Sequence, residues 1–270
     1  MILLEMLSYP FLVRAFLVGV LVSLCAALLG TSLVLKRYSM IGDGLSHVGF
    51  GALAIASALG VAPLAVAVPV VVVAAVLLLR VSQSGRVRGD AAIALISSGA
   101  LAVGVLVISL TSGVNTNVSN YMFGSILTIS SSDAVLSVIL CAAVLVVFTL
   151  FYPRIFAVTF DETFARATGT KAEGYNMLLA ILTAITVVLG MRMMGALLSP
   201  SLIIFPALSA MRVFRSFRSV TVCSAVLSVV CFTLGMTLSY ALETPSGASV
   251  VAVNIIAFAL FALAGRLLRR

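Results

Sequence analysis

Long apolar runs separated by short polar breaks fill the chain from residue 11 to residue 264. Stretches such as Val61–Leu79 and Val220–Leu242 carry no charge, and each is close to the roughly 20 residues a helix needs to cross a bilayer. The pattern predicts spans at Phe11–Leu35, Gly42–Leu59, Pro63–Leu79, Ala91–Leu110, Asp133–Tyr152, Tyr175–Gly190, Gly195–Met211, Val220–Leu242 and Ser249–Ala264. A β-barrel would show short segments of alternating polarity instead. The expected fold is therefore all-α: a polytopic membrane helical bundle of about eight or nine transmembrane helices, in one transmembrane domain over residues 1–270. Tyr121–Ile129 is apolar but too short to span, and is expected at the interface or as a re-entrant piece. LLSPSLIIFP, residues 197–206, puts two prolines in one span. Each removes a backbone donor, so a proline-broken helix is expected there. The first apolar run lacks a small-residue cleavage site followed by a soluble domain, and reads as a spanning helix.

Composition agrees with the pattern. Hydrophobic residues make up 63% of the chain, charged residues 9%, and the mean hydropathy is +1.30. A soluble domain carries about a quarter charged residues, so this chain lacks the polar surface a water-soluble globule needs. Cys25, Cys141, Cys223 and Cys231 all fall inside apolar runs with no CxxC pair. They read as small buried hydrophobes, not as a disulfide or thiolate site.

Charge adds an orientation. Lys36, Arg37, Arg80, Arg86, Arg88, Arg154, Arg166, Lys171, Arg212, Arg215, Arg218, Arg266, Arg269 and Arg270 make 14 of the 16 basic residues, and all fall on one side of the predicted spans. The positive-inside rule makes that side the cytoplasm, with the N-terminus outside and the C-terminus inside. The net charge of +8 is then a topology signal; spread over five short segments, it does not suit nucleic acid. There is no GxxxxGK[ST] loop, so the chain is expected to be no enzyme and not to hydrolyse ATP by that chemistry.

Few polar groups interrupt the spans, and an ionisable group there is costly unless it is paired or faces water. RYSMIGDGLSHVGF, residues 37–50, holds Asp43 and His47, the only histidine. At i and i+4 on a helix they point the same way, His47 about 6 Å further along. A carboxylate oxygen and an imidazole nitrogen on one face suit a borderline divalent cation: Zn²⁺, or else Mn²⁺ or Fe²⁺. Two donors do not complete a shell. The alternative is that Asp43 caps the helix and His47 bonds to a neighbour. Gly42, Gly44, Ser46, Gly49 and Gly51 around the pair permit close helix approach, or leave a channel wall free of bulky side chains. Glu243, at the end of a span, is either a mouth ligand or an interfacial carboxylate. Asp133 follows Ser130–Ser132 at a helix start, where capping accounts for it. Arg192 lies among Met191, Met193 and Met194, where adaptable packing explains the methionines better than a soft-metal site.

The stretch VTFDETFARATGTKAEGYN, residues 158–176, is the longest charged one. Asp161 and Glu162 stand at the favourable end of a short helical pattern, Phe164, Ala165 and Ala167 offer a small apolar face, and Gly169 can stop the helix. Such a helix suits docking on a partner; the alternative is a solvated loop.

RYSMIGDGLSHVGFGALAIASALG resembles the second-helix motif of the permeases of zinc and manganese ABC importers, the ABC-3, ZnuB-like family. TFDETFARATGTKAEGYN with LLAILTAITVVLGMRMMGALLSPSLIIFPALSA resembles the family's coupling loop and following helices, and LSYALETPSGASVV its last extracellular turn. The likeness runs over nearly the whole chain, in the family's order. It implies a single permease domain of an ATP-driven divalent metal importer in a bacterial inner membrane, working as a homodimer with a cytoplasmic ABC ATPase dimer and an extracellular metal-binding protein. It implies no permanently bound cofactor, Zn²⁺ or Mn²⁺ being cargo. Asp43 and His47 match the family's intramembrane ligand pair. Asp161, Glu162, Phe164, Ala165, Arg166, Ala167, Thr168 and Gly169 match its ATPase-coupling helix. Glu243 stands where relatives often carry an acid, and Gly44 departs from their commoner Ala or Thr. Two other readings stay open: an ABC permease for a metal chelate or cobalamin, and a proton-coupled carrier using Asp43 and His47 as a relay.

Overall fold

The computed structural model describes residues 9–83, 89–111, 130–196 and 199–268. Eleven helices and no strand occur among them: α1 (Pro10–Leu35), α2 (Ser39–Ala58), α3 (Pro63–Gln83), α4 (Gly89–Leu110), α5 (Ser131–Leu150), α6 (Tyr152–Phe160), α7 (Glu162–Ala167), α8 (Ala172–Met194), α9 (Ser199–Val213), α10 (Phe217–Leu242) and α11 (Ser246–Leu268). The expected piece at Tyr121–Ile129 lies outside the described residues.

Among the described residues, seven helices are long and apolar enough to cross a membrane: α1, α3, α4, α5, α8, α10 and α11. By length and apolarity alone the count is thus seven where eight or nine were expected, and two helices account for the difference. α2 has the length, at 20 residues, but Asp43, His47, its serines and its glycines lower its apolarity. It is packed against α4, α3, α8 and α9, with most of its residues buried. A helix enclosed by others need not be apolar all round. α9 has only 15 residues, about 22 Å of helix against a hydrocarbon core of about 30 Å. Gly195, at φ 87°, ends α8, and α9 begins at Ser199 with Pro200 in its first turn and Pro206 inside it.

Burial separates inner from outer helices. The most apolar stretch of α8 is 67% buried and that of α1 56%, against 22% for α4 and α11. α8 and α1 are thus central posts, and α4 and α11 show most of their surface to lipid. Serine hydroxyls on α10 donate across to α1, Ser224 to the Ala27 carbonyl at 3.3 Å and Ser228 to the Ser23 carbonyl at 2.9 Å. Such bonds satisfy polar groups that lipid cannot. Cys25, Cys141 and Cys231 are buried free thiols, and Cys223 is half-buried.

The two ends of the bundle differ. Leu33, Lys36, Tyr38, Leu79 and Asn176 line one small recess, so the end of α1, the start of α2, the end of α3 and the start of α8 share an end. α10 runs antiparallel to α1, Ser224 bonding Ala27 and Ser228 bonding Ser23, so the start of α10 joins that end, and the end of α9 leads into it. Arg212 and Arg266 line another recess, which adds the end of α11. Of the described basic residues, only Arg14 and Arg192 lie at the opposite end, on the start of α1 and the end of α8.

Close helix approach depends on glycine. A Cβ on Gly30 would lie 2.0 Å from the Ile203 carbonyl oxygen of α9, and one on Gly51 2.7 Å from the Ala100 carbonyl oxygen of α4. Gly30→Val is expected to cost about 1–3 kcal/mol through overpacking, read as a lower unfolding temperature of the detergent-solubilised protein. Gly99→Ala, with nothing within 4 Å of its added Cβ, should leave that temperature unchanged or raised. Equal stability of Gly30→Val and the parent would show that α1 and α9 can part freely.

Candidate metal site

Asp43 and His47 are the fifth and ninth residues of α2, so they stand about 6 and 12 Å along the helix from its first residue. They share a face, with Asp43 Oδ2 and His47 Nε2 3.9 Å apart. That is too long for a hydrogen bond. It is below the roughly 4.0–4.3 Å reached when two metal bonds of 2.0–2.2 Å are collinear, so one ion can touch both atoms. His47 has 16% of its side chain exposed and Asp43 40%. His47 Nδ1 is buried and has no hydrogen-bond partner among the described residues. Asp43 does not cap α2: Tyr38 is the N-cap and makes no side-chain bond. Ser46 Oγ donates to the Asp43 backbone carbonyl at 2.7 Å, which leaves the carboxylate unengaged by it.

The surrounding glycines serve packing. A Cβ on Gly44 would lie 2.8 Å from Ile93 Cγ2, and one on Gly49 2.6 Å from Met191 Cε. Close approach, the first of the two roles that the sequence left open for them, is what the structure displays. The absent methyl at Gly44 therefore sets how tightly α2 meets α4.

No group of three or more His, Cys, Asp or Glu side chains placed to hold a metal occurs among the described residues. Glu243 does not join the pair. It is exposed, closes α10 in the left-handed conformation at φ 53°, and stands at the bundle's other end. Asp133 is engaged differently from the capping role read in the sequence. Ser130 is the cap, accepting from the Asp133 backbone N–H at 3.1 Å, and the Asp133 carboxylate pairs with Arg192 at 2.6 Å. Arg14 donates to Ser131 Oγ, so α1, α5 and α8 are tied together there. Met191 and Met194 are buried packing residues.

The short helix α7 lies at the basic end. Six residues cannot hold a helix alone, and its ends are fixed by specific bonds. Asp161 accepts from the Phe164 N–H at 2.9 Å, an N-cap. At the other end Gly169, at φ 83°, donates to the Arg166 carbonyl, and Thr170 donates to the Ala165 carbonyl. That pair of bonds is a Schellman stop. Of the three apolar residues read as one face, Ala165 points inward against Val158 and Ala172, while Phe164, at 65% exposure, and Ala167 face out.

A polar cluster that the sequence did not reveal anchors α7. Glu162 Oε2 accepts from Lys36 Nζ at 3.3 Å and from Asn176 Nδ2 at 3.0 Å, and its Oε1 accepts from Arg166 at 2.6 Å. Lys36 also donates to Asn176 Oδ1. Burial pushes the Glu162 carboxyl up, but the Asn176 and Arg166 hydrogen bonds and the Lys36 charge outweigh it and hold it below its ordinary range. Burial lowers Lys36, against the pull of Glu162. Because the Glu162 carboxyl is depressed, its contribution is present at neutral pH and is lost as pH falls through that lowered value. Lys36 lies three residues before α2, so the cluster links α7 to the helix that carries Asp43 and His47. In the sequence Lys36 reads as one more basic flank; the only hint was a lone Asn, Asn176, at the mouth of an apolar run.

Residues 8–265 match the ABC 3 transport family. The manganese transport system membrane protein MntC of Halalkalibacterium halodurans is 28% identical over 260 residues, covering 96% of this chain and 88% of that protein. The high-affinity zinc uptake system membrane protein ZnuB of Haemophilus influenzae is 29% identical over 252 residues, covering 93% and 97%. Among solved structures, PsaBC from Streptococcus pneumoniae in complex with Fab superposes with a TM-score of 0.85 at 25% identity, covering 96% of this chain and 95% of that one.

Proposed function

The chain belongs to the ABC 3 transport family, and on that premise we propose how it carries its cargo. It is the membrane-spanning permease of an ATP-binding-cassette importer for a divalent transition metal. Relatives named for manganese and for zinc, each aligned over more than nine-tenths of this chain, support that reading. The observation that carries the mechanism is the Asp43–His47 pair: one carboxylate and one imidazole face each other 3.9 Å apart, within reach of a single ion, and the buried His47 Nδ1 has no partner among the described residues. Asp43 supplies negative charge against the cost of dehydrating the ion. His47 supplies a nitrogen that favours borderline metals over Ca²⁺ and Mg²⁺, which take oxygen shells. Zinc suits that donor set first and manganese next. Two donors make an incomplete shell, with the remaining positions left to water, the delivering protein or a second copy of the chain. Weak holding serves conduction, which needs a site the ion can leave.

The energy comes from a separate cytoplasmic ATPase that docks on α7, and the metal arrives with an extracellular binding protein. Permease reconstituted with its ATPase should take up zinc or manganese into vesicles only when ATP is supplied. Uptake driven by a proton gradient without ATP would make the chain a secondary carrier and overturn this account.

The basic end of the bundle faces the cytoplasm. Gathering of Lys36, Arg80, Arg166, Arg212, Arg218 and Arg266 at one end supports this. α2 must then cross as well, because Lys36 before it and Arg80 at the end of α3 share that end. The native thiols give little background to a membrane-impermeant maleimide added to intact cells. Glu243→Cys should label and Lys171→Cys should not; labelling of Lys171→Cys alone would invert the orientation.

A further inference from the structure

The outer face between α10 and α11 holds an open cavity of about 670 Å³ that neither the transport reading nor the likeness to relatives uses. That size falls in the range of about 300–1,000 Å³ typical of small-ligand pockets. Its wall is apolar, formed by Val222, Val226, Leu227 and Val230 of α10 and by Phe261 of α11, and it ends at Phe214, Arg218 and Ser219. Val222, Val226 and Val230 are 56%, 59% and 46% exposed. They form an i, i+4 stripe that leads away from the arginine. From Arg218 to Val230 the helix rises about 18 Å, against about 15 Å for one leaflet's share of the hydrocarbon core.

Arg218 lines the end of this groove and Arg215 stands three residues before it, and charge on this side is uncompensated. Arg212, Arg215, Arg218 and Arg266 are exposed, and none forms an ion pair among the described residues. No Asp or Glu occurs between Glu173 and Glu243 or after Glu243, and Glu243 is at the far end of α10. Arg212 lies over the Phe258 ring at 5.4 Å and lines, with Arg266, a second recess beside α11. The helices that form the groove therefore bring cations to its mouth and no acid with them.

We propose that this groove is a binding site for an anionic phospholipid, with an acyl chain along Val222–Val230 and the phosphate held by Arg215 and Arg218. Basic pockets between membrane helices are suited to such headgroups. A water-soluble partner could not follow a groove that runs about one leaflet deep. A second copy related by a two-fold axis here would set the same arginines against each other. The proposal depends on the bundle spanning a membrane and not on which ion it carries.

The test uses the full-length permease, purified in mild detergent and examined by native mass spectrometry. The probes are phosphatidylglycerol and phosphatidylcholine with identical acyl chains. The parent should retain phosphatidylglycerol in preference to phosphatidylcholine. Arg215→Gln and Arg218→Gln should each reduce that preference about fivefold, and the double variant should abolish it. Arg218→Lys should keep most of it. Val226→Trp, which fills the groove and leaves the arginines in place, should displace both lipids. All these side chains are exposed, and an unchanged unfolding temperature would confirm that the variants fold. Equal retention of both lipids by the parent, or an undiminished preference in the double variant, would overturn the proposal. So would efficient Cys223–Cys223 cross-linking between copies, which would show that a second chain fills the groove.

Discussion

His47→Ala and Asp43→Asn should each abolish metal uptake by the reconstituted transporter while leaving the permease inserted and bound to its ATPase. His47→Ala removes the only imidazole in the chain. Asp43→Asn keeps shape and removes the charge. The folding cost should be small at either position, because Asp43 caps nothing and His47 Nδ1 has no hydrogen-bond partner among the described residues. The transport cost should be large. With no third His, Cys, Asp or Glu grouped with the pair among the described residues, losing either donor leaves a single His or Asp ligand from this chain. Loss of one good metal ligand of several kcal/mol corresponds to a change of about 10²–10³-fold in occupancy. Full uptake by His47→Ala would show the pair to be structural.

Ala167→Asp should uncouple the transporter. Ala167 and Phe164 face out from a helix whose capping, stop and anchor are all made by other residues. The substitution therefore leaves α7 intact and changes only what it presents. A charge forced into an apolar contact costs at least about 2–3 kcal/mol, roughly a hundredfold in affinity. Copurification of the ATPase and metal-stimulated ATP hydrolysis should both fall. Glu162→Gln should act differently: it weakens the Lys36 and Arg166 bonds that orient α7 and leaves the outward face unaltered. ATPase binding should then persist while ATP hydrolysis responds less to metal. Unchanged turnover in Ala167→Asp would show that α7 is solvated and undocked.

The membrane-bundle class was legible because the apolar runs are long and their breaks few. The span count was less so. Apolarity reports contact with lipid, and α2 is enclosed by α3, α4, α8 and α9, so its polarity says nothing direct about whether it crosses. The length of α9 depended on where the chain leaves α8, which Gly195 decides through a positive φ that the sequence allows but does not require. The caps of α7 were readable because Asp161 and Gly169 act on their own neighbours in the chain. Ala165 was misread as part of an outward face because a helix of six residues is too short for periodicity to tell inside from outside. The Lys36–Glu162–Asn176 cluster joins residues more than 100 positions apart, a contact that only packing defines. Asp43 and His47 were visible because i, i+4 spacing on one helix fixes their meeting locally.

The account rests on those two side chains holding the ion together. X-ray absorption at the zinc edge, on purified permease loaded with one zinc per site, reports this directly. The predicted spectrum shows a mixed nitrogen and oxygen shell at about 2.0–2.2 Å. Imidazole scattering should be present in the parent, absent in His47→Ala, and retained with weakened zinc binding in Asp43→Asn. An all-oxygen shell in the parent, or a spectrum that His47→Ala leaves unchanged, would contradict it.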